Sequence, residues 1–211
     1  MKQILDQLLG SGKGWLEQGG EQRKGQVQGA LAGGALGLLL GNKKMRKYGG
    51  KVAAVGGAAA LGGLAYKLYK DWQAQQQSAP AGQVSPQPLS ALEGPALDQR
   101  AELLVRAMIA AARADGHIDE HERGKIAAHL TELGQGDAAR FIDRELARPL
   151  DPHALAREVT DMEQATEVYF ASLLAIEVDH FMERGYLDEL ARALQLDGDL
   201  KRNIEAQVAA L

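Results

Sequence analysis

Cysteine is missing from all 211 residues. Disulfides and thiolate metal sites are therefore excluded. No apolar run reaches the roughly 20 residues that a spanning helix wants. No segment alternates apolar and polar residues over a strand's length, so strands are not expected. Nucleophile elbow, P-loop and dinucleotide fingerprint are all lacking. The first nine residues have no long apolar run of the kind a cleavable signal carries. Ile4, Leu5, Leu8 and Leu9 instead fall at helical spacing, and residues 2–9 read as a short amphipathic helix.

The charge that is present is divided unevenly. Residues 1–79 hold 11 Lys+Arg against 4 Asp+Glu, a net +7. Residues 80–211 hold 13 against 24, a net −11. Glycine follows the same division, with 17 of the 25 before residue 80. A basic, small-residue segment suits an anionic lipid surface. The acidic remainder repels phosphate backbones, so no nucleic-acid partner is expected.

Within the basic part, Gly25, Gly29, Gly33, Gly37 and Gly41 stand four apart. On a helix this spacing makes one slowly drifting stripe. Each glycine costs roughly 1 kcal/mol against alanine in a helix interior. Close approach of a second helix is the usual compensation, most often in lipid. Gly50, Ala54, Ala58 and Gly62 form a second stripe. The apolar stretches Val27–Gly41 and Val52–Ala65 have 15 and 14 residues, about 21–22 Å of helix. That is short against a hydrocarbon core of about 30 Å. Three arrangements stay open: a tight spanning hairpin, a shallow re-entrant pair, or a self-associating assembly. A pair of soluble helices packed through their small faces is the fourth. Lys43, Lys44, Arg46 and Lys47 fill the loop between the stretches, and Tyr66, Tyr69 and Trp72 edge the second. Residues 1–72 are read as a membrane-associated helical hairpin, with membrane lipid as a partner and a homo-oligomer through the five glycines.

Residues 73–97 read as a linker, glutamine-rich at first and then carrying Pro80, Pro86, Pro88 and Pro95. From about Leu97 helical periodicity runs to the end. Leu103, Leu104, Ala107, Met108 and Ala111 make one apolar face, and Phe141, Ile142 and Leu146 another. Asp151-Pro152 is a helix start, with Asp as N-cap and Pro at the first helical position. Val168, Tyr169, Ser172, Leu173 and Ile176 mark a long apolar helix. Leu187, Leu190, Ala191 and Leu194 mark the next, and Ile204, Val208 and Leu211 the last. Residues 98–211 are expected to form an acidic all-α domain of about six or seven helices.

Chemistry concentrates at Ala114-Asp115-Gly116-His117-Ile118-Asp119-Glu120-His121-Glu122. Gly116 permits a sharp turn there. Asp119 with Glu122 fits a capping box, and Asp115-Gly116 is ordinary turn chemistry. A shift of 64 residues lays Asp115 on Asp179, Asp119 on Glu183, Ala127 on Ala191 and Gly134 on Gly198. Glu122 falls on Tyr186, which leaves the match incomplete. The pattern reads as a duplicated helix–loop–helix. If the copies converge, Asp115, Asp119, Asp179 and Glu183 need a cation between them, and hard cations favour oxygen ligands. His117 at the third loop position argues against an EF-hand. His117 and His121, four apart, leave zinc open.

The stretch Ala114–Glu122, the Asp179–Glu183 copy and Tyr186-Leu187-Asp188-Glu189-Leu190 resemble the TerB-like, tellurite-resistance-like families. The whole layout resembles the YebE-type bacterial inner-membrane proteins, a family of unknown function. These resemblances imply a TerB-like helical bundle and the bacterial inner membrane. They also imply a divalent metal (Ca, Mg, Mn or Zn) on Asp115, Asp119, Glu122, Asp179 and Glu183. The expected function is non-enzymatic sensing or scaffolding at the membrane, with a protein partner that the sequence does not identify. Two alternatives remain: a metal-dependent hydrolase on the same acids, and a purely structural, self-associating membrane protein.

Overall fold

A computed structural model describes residues 58–76, 87–114, 136–176 and 181–210. These residues form seven α-helices and one 3₁₀ turn, with no strand among them. The helices are α1 (Ala58–Gln75), α2 (Gly94–Ala112), α3 (Gly136–Ala147), α4 (Pro152–Ala156), α5 (Met162–Ala175), α6 (Phe181–Ala193) and α7 (Gly198–Ala210). The 3₁₀ turn, Leu89–Ala91, precedes α2. The all-α class expected from periodicity is the class observed.

Helix α5 is the centre. Twelve of its 14 residues are buried, so it has no solvent face of its own. Helices α2 and α1 pack most extensively against it, followed by α7 and α6. The faces expected from sequence are the ones turned inward. Leu103, Leu104, Ala107, Met108 and Ala111 of α2 are buried, as are Phe141, Ile142 and Leu146 of α3. Leu187, Leu190 and Ala191 of α6 join the same core. Burying a side chain of this size contributes roughly 1.5–3 kcal/mol. Ser172 is buried on α5 and donates its hydroxyl to the Val168 carbonyl at 2.9 Å.

Local chemistry sets the helix ends. Asp151 caps α4, accepting from the backbone N–H of His153 at 2.9 Å and Ala154 at 3.0 Å. Pro152 occupies the first turn, where a missing N–H costs nothing. Asp161 caps α5 by accepting from Gln164 N–H at 2.9 Å. Asp197 accepts from Asp199 N–H at 2.8 Å at the start of α7. It also accepts from the Trp72 indole N–H at 3.2 Å, which ties the end of α1 to α7. Helix α2 begins at Gly94, ahead of the expected start, because Pro95 fits the first helical turn.

Helix α1 lies mostly within the segment read as a membrane hairpin, residues 1–72, and runs three residues into the expected linker. Its Leu61, Ala65 and Tyr69 are buried, and Leu61 joins the same core as α5. Gly62 permits this docking. A Cβ there would stand 2.6 Å from Leu89 Cβ and 3.5 Å from Glu167 Oε1. One member of the second small-residue stripe is therefore spent on close approach to a protein neighbour. No described helix is long and apolar enough to cross a membrane. The glycine stripe from Gly25 to Gly41 and residues 77–86 of the expected linker lie outside the described residues.

Candidate functional site

Helix α5 carries two acids one turn apart, Glu163 and Glu167, and both are fully buried. Residues four apart share a helix face. Since every face of α5 is covered, charged positions on it had to go inside. Glu167 has a partner: Arg100 of α2 places Nη1 at 2.6 Å from Glu167 Oε2. The Arg100 side chain is itself only 9% exposed, so the pair is screened little by water. Neither oxygen of Glu163 has a hydrogen-bond partner among the described residues.

The electrostatics follow from this inequality. Burial pushes the Glu163 carboxyl up to about 7, helped by the charge on Glu167 and opposed by that on Arg100. Burial raises Glu167 as well, against the charge and hydrogen bond of Arg100. Tyr69 of α1 is raised by burial and by the negative charges of Asp161 and Glu163. The three acids thus share one small volume under α1, with Arg100 as the buried cation. Lys70 lies outward, donating to Gln73 Oε1 at 3.1 Å and standing 5.9 Å from the Tyr66 ring centre. A carboxyl placed this way keeps its proton up to about pH 7, well above the range in which an exposed carboxyl ionises.

Arg100 also reaches a groove of about 430 Å³ between α2 and the segment entering α5. Leu92, Ala96, Leu103, Thr160 and Gln164 line it, and Glu163 does not. At its far end Arg106 binds three carboxylates. Glu102 lies 3.1 Å away, Glu145 lies 3.0 Å away, and Glu158 completes the set.

Of the acids expected to hold a metal, Asp115, Asp119, Glu122 and Asp179 lie outside the described residues. Glu183 is described, and it is buried in the first turn of α6. The described residues contain no group of three or more His, Asp or Glu side chains able to hold a metal ion. Glu163, Glu167 and Arg100 were not singled out by sequence reasoning. The available signal was two acids at helical spacing on a segment without a single Lys or Arg.

The family model described as "Protein of unknown function (DUF533)" matches residues 25–208. The chain belongs to the DUF533 family. A protein from Yersinia enterocolitica, described as "Uncharacterized protein in ampR 5'region", is 42% identical over 115 residues. That match covers 53% of this DUF533 chain and 81% of the relative. No solved structure matches.

Proposed function

We propose that this DUF533 chain is a non-enzymatic, membrane-associated protein whose TerB-like helical domain senses or scaffolds. One observation supports the reading most. Helix α1 follows directly on the basic, glycine-rich segment, and it is also part of the helical core through Leu61, with Leu64, Leu68 and Trp72 packed against it. A change of state in the front segment therefore has a mechanical route into the domain. The net +7 of residues 1–79 supplies attraction to anionic headgroups, roughly 1 kcal/mol per basic residue at the surface. Lipid contact belongs in this reading to residues before α1, because the α1 face carrying Leu61 is already occupied by protein. The layout shared with YebE-type proteins suggests the bacterial inner membrane. A divalent metal on Asp115, Asp119, Glu122, Asp179 and Glu183 remains part of the proposal, and calorimetric titration of the full chain with Ca²⁺, Mg²⁺, Mn²⁺ and Zn²⁺ tests it.

Vesicle flotation tests the membrane part. The full chain is expected to float with vesicles containing phosphatidylserine. Exchange of Lys43, Lys44, Arg46 and Lys47 for glutamine should reduce the floated fraction. A full chain that stays in solution with both anionic and neutral vesicles overturns the reading.

A further inference from the structure

We propose that Glu163 is a proton-binding site that latches α1 onto the helical core, holding the helix when protonated and loosening it when ionised. The latch goes beyond the membrane reading and does not depend on it.

The geometry leaves Glu163 few other options. Its carboxyl is fully buried, and neither oxygen has a hydrogen-bond partner among the described residues. The charged and titratable groups around it come from three helices. Glu167 and Asp161 face it from α5 and its cap, Arg100 from α2, and Tyr69 and Lys70 from α1. Arg100 is committed to Glu167 at 2.6 Å. Lys70 is engaged at the surface with Gln73. Asp161 is occupied by the Gln164 backbone N–H and by the hydroxyl of Thr160 at 3.1 Å. Three acids thus share one buried guanidinium. A proton is the smallest cation that restores the balance, and burial and the neighbouring carboxylate hold it there up to about pH 7.

Once that proton leaves, the charge needs water. Helix α1 is the element best placed to admit it. Helix α2 is locked by α5, α3, α4 and α6, whereas α1 is held by α5, α7 and the 3₁₀ turn. Two adjacent glycines, Gly62 and Gly63, also weaken α1 as a helix. Its far end is marked by Trp72, hydrogen-bonded to Asp197 and 6.1 Å from the Tyr69 ring. Trp72 therefore reports whether α1 is docked.

The test uses the full chain with Trp15→Phe, which leaves Trp72 as the single indole. Raising the pH from 6 to 9 is expected to shift Trp72 emission to the red, with a midpoint near 7. In Glu163→Gln the amide resembles the protonated acid, and emission should stay constant over the range. An unchanged transition in that variant overturns the latch. Carbon-13 NMR of glutamate carboxyls in the unmodified chain provides a readout that needs no substitution of Glu163. One resonance titrating near 7 supports the proposal, and all of them titrating in the ordinary carboxylate range overturns it. A midpoint displaced by millimolar Ca²⁺ or Mg²⁺ overturns it too, by assigning the site to a metal ion. None of these measurements involves lipid, so failure of flotation leaves them unaffected.

Discussion

Two buried acids near opposite ends of α2 show what a partner changes. Glu145, on α3, is 7% exposed and stands between Arg106 at 3.0 Å and Arg148 at 3.0 Å. Its helix end is fixed further by Arg113, which donates to the carbonyls of Glu145 and Arg148 at 3.1 and 2.8 Å. Glu163, on α5, is fully buried, and the nearest guanidinium belongs to its neighbour Glu167. Both regions bury carboxylate charge, but only in the first does the buried acid itself have two guanidinium partners. A buried charge without a partner costs several kcal/mol, and groups in that position take up a proton instead. One end of α2 is thus an ionic clamp, and the other is a site whose charge depends on pH.

The largest expected effect comes from removing the single cation at the Glu163 end. Arg100→Met leaves Glu163 and Glu167 buried together with no guanidinium. Breaking a buried pair in this way costs about 3–5 kcal/mol. Urea unfolding at pH 8 measures it, and at pH 5 the loss should shrink as the acids protonate. Arg106→Met at the other end should cost less, because Glu145 keeps Arg148 and the remaining partners are partly exposed. Equal losses in the two variants would erase the distinction between the ends.

Next comes the pH dependence itself. In the unfolded chain Glu163 ionises around its ordinary value of 4.5, and in the folded chain around 7. The folded state therefore holds the proton more tightly. Its contribution to stability is complete below about 4.5 and is lost as the pH rises through about 7. The difference corresponds to roughly 3 kcal/mol. Glu163→Gln removes this dependence. The stability gap between variant and parent should move by roughly 3 kcal/mol in the variant's favour from pH 4.5 to pH 8. Parallel stability curves would show that Glu163 titrates as an exposed acid does.

Much of this was legible in the residues, and the missing part has a physical reason. Periodicity located the faces of α2, α3, α6 and α7, because an amphipathic helix advertises which side it buries. Asp151-Pro152 marked the start of α4 through capping chemistry alone. Helix α5 was located by Val168, Tyr169 and Ser172, but its acids were overlooked, because a helix buried on all sides has no polar face to which they belong. The partner of Glu167 is 67 residues away on α2, a distance that no local pattern encodes. Of the second small-residue stripe, only Gly62 has described surroundings, and a close approach is observed there. The stripe did not say whether lipid-embedded helices or a 3₁₀ turn would fill the space, since glycine reports room and not the neighbour. Of the acids expected from the duplicated motif to hold a metal, only Glu183 lies among the described residues.

Gly62 and its neighbour give the smallest effects and a sharp contrast in sign. A Cβ at Gly62 would meet Leu89 Cβ at 2.6 Å, a contact that forces the 3₁₀ turn or α1 to shift. Gly62→Ala should therefore destabilise by about 1–2 kcal/mol, the overpacking cost less the gain in helix propensity. At Gly63 a Cβ meets nothing within 4 Å. Gly63→Ala should stabilise by up to about 1 kcal/mol, through propensity alone. Thermal melts of the two variants beside the parent read both signs at once. Adjacent positions on one helix share length, charge and unfolded-state entropy, so only the docking of α1 beside Glu167 separates them. If both variants melt above the parent, α1 does not sit against Leu89, and Glu167 is open to water on that side.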